Sequence, residues 1–313
     1  MLAQKVFRSR RGRGRLRYKS LAVGIAPKGM RILRTMVITL LTILLLAYLG
    51  SGALFYFQQD QMTFPAPSHY TNATPADDGI AFEDLHIPVA GSQQLHAWWI
   101  PAAQPSDKVL LMFHGNGYVL EQAAGPAGEV IPLHRLGPNL LLVDYRGYGS
   151  SSPGTPSEAR VYEDARAALA FLLDQRHVPI HDVIFMGRSI GTGPATQLAL
   201  EHPDAGGLIL ESPFTSVPEA AKAIWYLRVF PLSPFIHNRF DNLSKISSVH
   251  VPLFITVGTE DTVTPSQMAH ALFQSANQPK QLYRVPGAGH DGIVKVGGEA
   301  LESHIREFID SIR

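Results

Sequence analysis

No cysteine occurs in the 313 residues, which excludes a thiol nucleophile, disulfides and cysteine metal sites. No acidic residue precedes Asp60, whereas eleven Lys and Arg lie between Lys5 and Arg34. The near-even total of 27 basic and 26 acidic residues therefore hides a basic arm and an acidic remainder, with 16 Lys/Arg against 26 Asp/Glu from Asp60 on. A phosphate footprint needs clustered Lys and Arg, so no nucleic-acid partner is expected for the folded part. Charge of either sign is missing from Thr35 to Phe57, and no internal repeat is evident.

That uncharged run is 23 residues long, and about 20 apolar residues span the ~30 Å hydrocarbon core of a bilayer. A buried core helix of that length would show a polar face. A signal peptide has a shorter apolar region, about 7–15 residues. The cluster Phe55-Tyr56-Phe57 stands where an aromatic belt would anchor a retained helix. A transmembrane helix is expected over 35–57, with the membrane as partner. The basic flank predicts a cytoplasmic N-terminus and the rest of the chain on the non-cytoplasmic side, in a periplasm or lumen. Residues 1–34 read as a disordered, solvated arm. Residues 58–79, with Pro65, Pro67, Pro75 and Asp77-Asp78-Gly79, read as a juxtamembrane connector, leaving 80–313 as the folded domain.

Within that domain, strand-like runs alternate with helical ones. Strands are expected at Ala81–Val89, Leu95–Ile100, Val109–Phe113, Leu140–Asp144, Val183–Met186, Gly207–Glu211, Leu253–Gly258 and Leu282–Val285. Helices are expected at Val119–Leu136 (interrupted by Gly and Pro), Glu158–Gln175, Pro194–Glu201, Ser266–Ala276 and Ala300–Ile312. The clearest is Glu158–Gln175, where Val161, Ala165, Ala168, Leu169 and Leu172 share one face. Near-continuous apolar strands alternating with helices imply a mostly parallel sheet covered on both faces, an α/β fold. Residues 213–251 break the rhythm with several prolines and aromatics, and read as a small helical cap over the sheet's carboxyl edge.

The chemistry starts at Gly187-Arg188-Ser189-Ile190-Gly191, which follows an apolar strand and opens a helix. Gly-x-Ser-x-Gly in that setting is a nucleophile elbow, whose tight turn lifts the Ser189 hydroxyl above the sheet. A serine needs a base to take its proton, and the base needs an acid to fix its tautomer. On this type of sheet the order is Ser, acid, His. Asp261 follows at the end of the strand Leu253–Gly258, and His290 follows Pro286-Gly287-Ala288-Gly289 after the last strand. Glu211 is the best alternative acid, and Asp291 is expected to hold the histidine loop. The tetrahedral oxyanion needs two N–H donors. One is expected from Ile190; the other from His114-Gly115-Asn116-Gly117-Tyr118, with Asn116 first choice and Gly117 second. Gly117, Tyr118, Phe214 and Trp225 are candidates for lining a substrate pocket.

Together, Phe113-His114-Gly115-Asn116-Gly117, Asp144-Tyr145-Arg146-Gly147-Tyr148-Gly149, Gly187-Arg188-Ser189-Ile190-Gly191, Glu211-Ser212-Pro213-Phe214, Gly258-Thr259-Glu260-Asp261 and Gly289-His290-Asp291 resemble the α/β-hydrolases, nearest the membrane-anchored bud-emergence (Bem-type) family. The resemblance begins near Leu54 and leaves out the basic arm. It implies an eight-stranded sheet and serine hydrolysis of esters, thioesters or amides, without metal or organic cofactor, on small-molecule, lipid or acylated substrates. Serine aminopeptidase activity, or a non-catalytic ligand-binding or scaffold role on the same fold, remains open. A serine at the elbow argues against the carboxylate nucleophiles of dehalogenases and epoxide hydrolases.

Overall fold

The computed structural model describes residues 28–67, 72–125, 128–230 and 232–312. The first helix, α1 (Lys28–Thr63), is 36 residues long and is long and apolar enough to cross a membrane. It exceeds the 35–57 expected from charge at both ends, because Lys, Arg, Gln and Met are good helix formers and nothing breaks the helix before Pro65. Residues 28–34, read above as part of a disordered arm, are therefore helical; the rest of that expectation falls on residues 1–27, outside the described ones. The chain forms two compact units, one ending at Ser51 and one running Gly52–Arg313. The second thus begins well before residue 80. Phe64, inside the expected connector, is a core residue.

The second unit holds one eight-stranded sheet: β1 (Glu83–Pro88), β2 (Gln94–Ile100), β3 (Val109–Phe113), β4 (Asn139–Val143), β5 (Val183–Arg188), β6 (Gly207–Glu211), β7 (Leu253–Gly258) and β8 (Lys280–Val285). Their spatial order is β1-β2-β4-β3-β5-β6-β7-β8. β2 runs antiparallel to both neighbours, and every pair from β4 to β8 is parallel. Strands at the centre are apolar at every position because both faces are covered. In β3, Val109, Leu111 and Phe113 enter one core cluster while Leu110 and Met112 enter the other.

One cluster takes in α3 (Glu158–Ala170), α4 (Thr192–Glu201) and α8 (Ser266–Ser275), through Val161, Leu198 and Leu272 among others. The other takes in α2 (Val130–Arg135) and α9 (Ile293–Asp310), through Leu133, Ile305 and Phe308. The expected helix Val119–Leu136 is a 3₁₀ turn, Leu120–Gln122, followed by α2. α3 continues as a π-helical turn over Phe171–Gln175. α9 starts seven residues earlier than expected and is broken at Gly298, whose φ is +48°.

The interval 213–251 contains α5 (Val217–Ala221), a 3₁₀ turn (Trp225–Val229), α6 (Leu232–Phe235) and α7 (Asn242–Ile246). α7 packs on α4 and α8, so the last part of the expected cap belongs to the body. Strand order reverses at β3: the chain moves to β4 on one side and later to β5 on the other. The loops leaving β3 and β5 therefore diverge, opening the crevice where such sheets bind ligands.

Candidate active site

β5 ends at Arg188, and the chain must turn at once into α4. Ser189 makes that turn in the left-handed region, at φ +50°, a conformation that costs a non-glycine residue on the order of 1–3 kcal/mol. The flanking glycines make it feasible. A Cβ at Gly187 would lie 2.2 Å from Gly191 O, and one at Gly191 would lie 2.1 Å from Phe113 O. The Thr192 hydroxyl donates to Ser189 O (2.6 Å).

The acid comes from the loop after β7. Asp261 is 6% exposed, and its Oδ1 accepts the N–H groups of Val263 (2.9 Å) and Thr264 (2.8 Å). Its Oδ2 lies 2.9 Å from the Thr264 hydroxyl and 2.8 Å from His290 Nδ1. The opposite ring nitrogen, Nε2, is 3.0 Å from Ser189 Oγ. An ionised Asp261 requires the proton on Nδ1, which turns the lone pair of Nε2 toward the serine. Burial works against the Asp261 charge, but the His290 and Thr264 hydrogen bonds prevail and hold its carboxyl below the usual range. The structure thus brings Ser189, His290 and Asp261 into one hydrogen-bonded line. Thr264, which sequence reasoning missed, braces it; the signal was a threonine three residues after an aspartate at a strand end.

Glu211, the alternative acid, is turned instead to Arg188, whose Nε lies 3.3 Å from Glu211 Oε1. Burial pushes the Glu211 carboxyl up, against the pull of Arg188 and His290. Arg188 also pairs with Glu129 and has Nη2 3.6 Å from Asp291. Asp291 therefore meets the arginine beside the nucleophile as well as standing next to the histidine in sequence.

The loop after β3 lies flush against the elbow: a Cβ at Gly115 would be 3.4 Å from Ser189 Cβ. His114 holds this loop, with Nδ1 donating to Gly115 O (2.8 Å) and Nε2 3.3 Å from Asp144 Oδ1. Asn116 donates its side-chain amide to Thr63 O (2.6 Å). Gly117, the second choice as oxyanion donor, gives its N–H to Pro65 O (3.0 Å). That bond uses the donor, so Gly117 does not fill the role. Asn116 and Ile190 both border Ser189 in an apolar cavity of about 410 Å³ that Phe214 also lines. A second cavity, about 560 Å³, also reaches Ser189, shares Asn116 and Val263 with the first, and is lined further by Gly117, Tyr118, Arg188, Glu129, His290 and Asp291. Burial pushes the Tyr118 phenol well up. The Trp225 side chain falls outside what the structure describes.

Among the described residues, one group offers metal-ligand atoms within 4.8 Å of one another: His96, Glu121 and Asp144. All three already serve the scaffold, Glu121 Oε1 accepting the Ser150 hydroxyl (3.4 Å). His96 Nε2 sits 2.7 Å from Asp84, and Asp144 Oδ1 accepts the Leu120 N–H (3.1 Å).

A family model described as the alpha/beta hydrolase fold matches residues 108–230. Alpha/beta hydrolase domain-containing protein 17B of Xenopus laevis is 37% identical over 209 residues, covering 66% of this chain and 67% of that protein. The chain belongs to the α/β-hydrolase superfamily. An uncharacterised protein of Mycobacterium tuberculosis is 31% identical to this α/β-hydrolase over 269 residues, 85% of this chain and 92% of the relative. An esterase of Pyrococcus furiosus shares the fold with a TM-score of 0.65 at 22% identity, over 79% of this chain and 98% of that one.

Proposed function

We propose that this α/β-hydrolase is a membrane-anchored serine hydrolase that cleaves a carboxylic ester, thioester or amide through an acyl-enzyme on Ser189. The observation that carries the reading is the line Ser189–His290–Asp261, at 3.0 and 2.8 Å. As Ser189 Oγ bonds the acyl carbon, its proton passes to Nε2 of His290. Asp261 stabilises the imidazolium that results. The carbonyl electrons move onto the oxygen, which accepts hydrogen bonds from the N–H groups of Asn116 and Ile190, beside the positive end of α4. Collapse expels the leaving group, which takes the proton from His290. Water, with His290 again as base, then frees the acid.

An active-site fluorophosphonate is the direct test. Labelling of the full chain that disappears in Ser189→Ala supports the reading. Failure to label the parent, with a ligand still bound in Ser189→Ala, would leave a binding protein on the same fold. An acyl-ester and aminoacyl-amide panel separates esterase from peptidase.

The anchor is read from α1, with the N-terminus in the cytoplasm and the catalytic domain across the membrane. Because the chain has no cysteine, Thr155→Cys introduces a single reporter. In sealed vesicles whose outer face is the cytoplasmic one, its capture by a membrane-impermeant maleimide only after the vesicles are opened supports the orientation, and capture in the sealed vesicles overturns it.

A further inference from the structure

The last turns of α1, all within the unit Gly52–Arg313, are not a bare stalk. Gln59 is 2% exposed, and every polar atom of its side chain is used. Its Nε2 donates to Tyr56 O (2.9 Å) and Phe235 O (3.0 Å), and its Oε1 accepts the His237 N–H (3.0 Å). Asp60 Oδ1 accepts from Asn238 Nδ2 (2.5 Å) and lies 2.6 Å from His237 Nε2. On the next turn, Thr63 O takes the Asn116 side-chain amide and Pro65 O the Gly117 N–H. The helix end is thus fastened to residues 235–238 on one side and to the loop carrying Asn116 on the other.

Between these attachments lies the apolar cavity. Phe55, Met62 and Thr63 form its helix side, and Val217, Ala221 and Ile224 face it from α5 and the turn that follows. Among the described residues, none of the side chains lining it is charged. The second cavity at Ser189 has the opposite character, with Arg188, Glu129 and Asp291 in its wall. An acyl-transfer substrate also has two halves, and burying a charge in the apolar side would cost several kcal/mol. At about 30 Å³ for each small group, the share of a water molecule in the liquid, the apolar side has room for a chain on the order of ten carbons.

Resting on the reading of Ser189 as nucleophile, we infer that the acyl group of the substrate lies in the apolar cavity against the end of α1, so that Phe55 and Met62 set its length. The substrate is an ester or thioester of a medium-length apolar acid whose polar leaving group faces Arg188, Glu129 and Asp291. The helix that reads as an anchor is, in its last three turns, also a wall of the acyl site.

The test uses the full chain in detergent and two fluorophosphonates alike except for a methyl or a decyl group on phosphorus. In each, Ser189 Oγ bonds phosphorus, fluoride leaves, and the serine proton goes to His290. The parent is expected to react at least about ten-fold faster with the decyl probe, which equals the burial of about two methylenes. Phe55→Trp and Met62→Trp are expected to erase that preference, lowering the decyl rate at least about ten-fold more than the methyl rate. The methyl rate reports that the site is still assembled. Ala221→Leu, on the facing wall, is expected to act likewise; Leu41→Trp, far up the helix, is expected to change neither rate. A decyl-to-methyl ratio unmoved by both helix substitutions, or an equal loss with both probes, overturns the inference and leaves the serine mechanism standing. A parent that reacts with neither probe removes the nucleophile, and the inference falls with it.

Discussion

Ser189 Oγ lies 3.0 Å from Nε2 of His290, a residue 101 positions further along the chain. The serine reaches that point through a backbone held at φ +50°. Strain kept at a reactive residue is stability given up for geometry. Ser189→Gly is therefore expected to abolish fluorophosphonate labelling yet raise folding stability by about 1 kcal/mol, since glycine adopts this φ without penalty. Denaturant midpoints of parent and variant check it; a less stable glycine variant counts against strain at the elbow.

The line of hydrogen bonds behind His290 should be graded in its importance. Asp261→Asn presents an amide N–H where Nδ1 needs an acceptor, so a loss of about 10⁴-fold in kcat is expected. Thr264→Val keeps the shape and the backbone N–H to Asp261 but removes the hydroxyl that lies 2.9 Å from Asp261 Oδ2 and 3.1 Å from Ser212 O. Thr264 also lines the apolar cavity, so the two roles are told apart by kinetics: a fall of about ten-fold in kcat with KM little changed is expected where its hydroxyl acts by positioning Asp261. A change confined to KM would mean that Thr264 serves only as pocket wall.

Acid should loosen the scaffold of the β3 loop. Burial works against the Asp144 charge, but the imidazoles of His114 and His96 outweigh it and hold the carboxyl below its usual range. A depressed folded-state pKa contributes stability that is fully present above the unfolded value, about 3.9, and is lost as pH falls through the folded value. Asp144→Asn should therefore be clearly less stable than the parent at neutral pH, with the gap closing below about pH 4. Denaturation curves at several pH values read this directly. A gap that persists unchanged in acid means the loss is one of packing, not of charge.

Two glycines of the site should respond in opposite ways. A Cβ at Gly191 would stand 2.1 Å from a backbone oxygen of β3, whereas one at Gly289, next to His290, meets nothing within 4 Å. Gly191→Ala is expected to cost more than about 3 kcal/mol and to end labelling, because strand and elbow must part. Gly289→Ala should stay within about 0.5 kcal/mol of the parent and keep its labelling rate. Thermal unfolding and probe kinetics on the pair decide it.

Much of the α/β architecture was legible because burial on two faces leaves unbroken apolar runs such as Val109–Phe113 and Leu253–Gly258, bounded by glycine and polar turns. Ser189, Asp261 and His290 stood out because each follows such a run, at the strand end where a loop can carry chemistry. The residues that hold them were less legible. Thr264 has no motif of its own. Arg188 reads as the variable position of the elbow until it is seen among Glu129, Glu211 and Asp291.

From the sequence alone came the order of strands and helices, the apolar N-terminal helix and the three residues brought into line, because these depend on local periodicity and turn chemistry. Only the tertiary structure could decide that α1 runs on to Thr63 and that its end closes a cavity over Ser189. It also showed that Pro65 takes the donor that Gly117 would have offered. Those outcomes turn on contacts such as Thr63 with Asn116 and Gln59 with His237. Partners 53 and 178 residues apart leave no periodic trace in the chain, and their pairing is set by which buried polar groups must be satisfied once the sheet has formed.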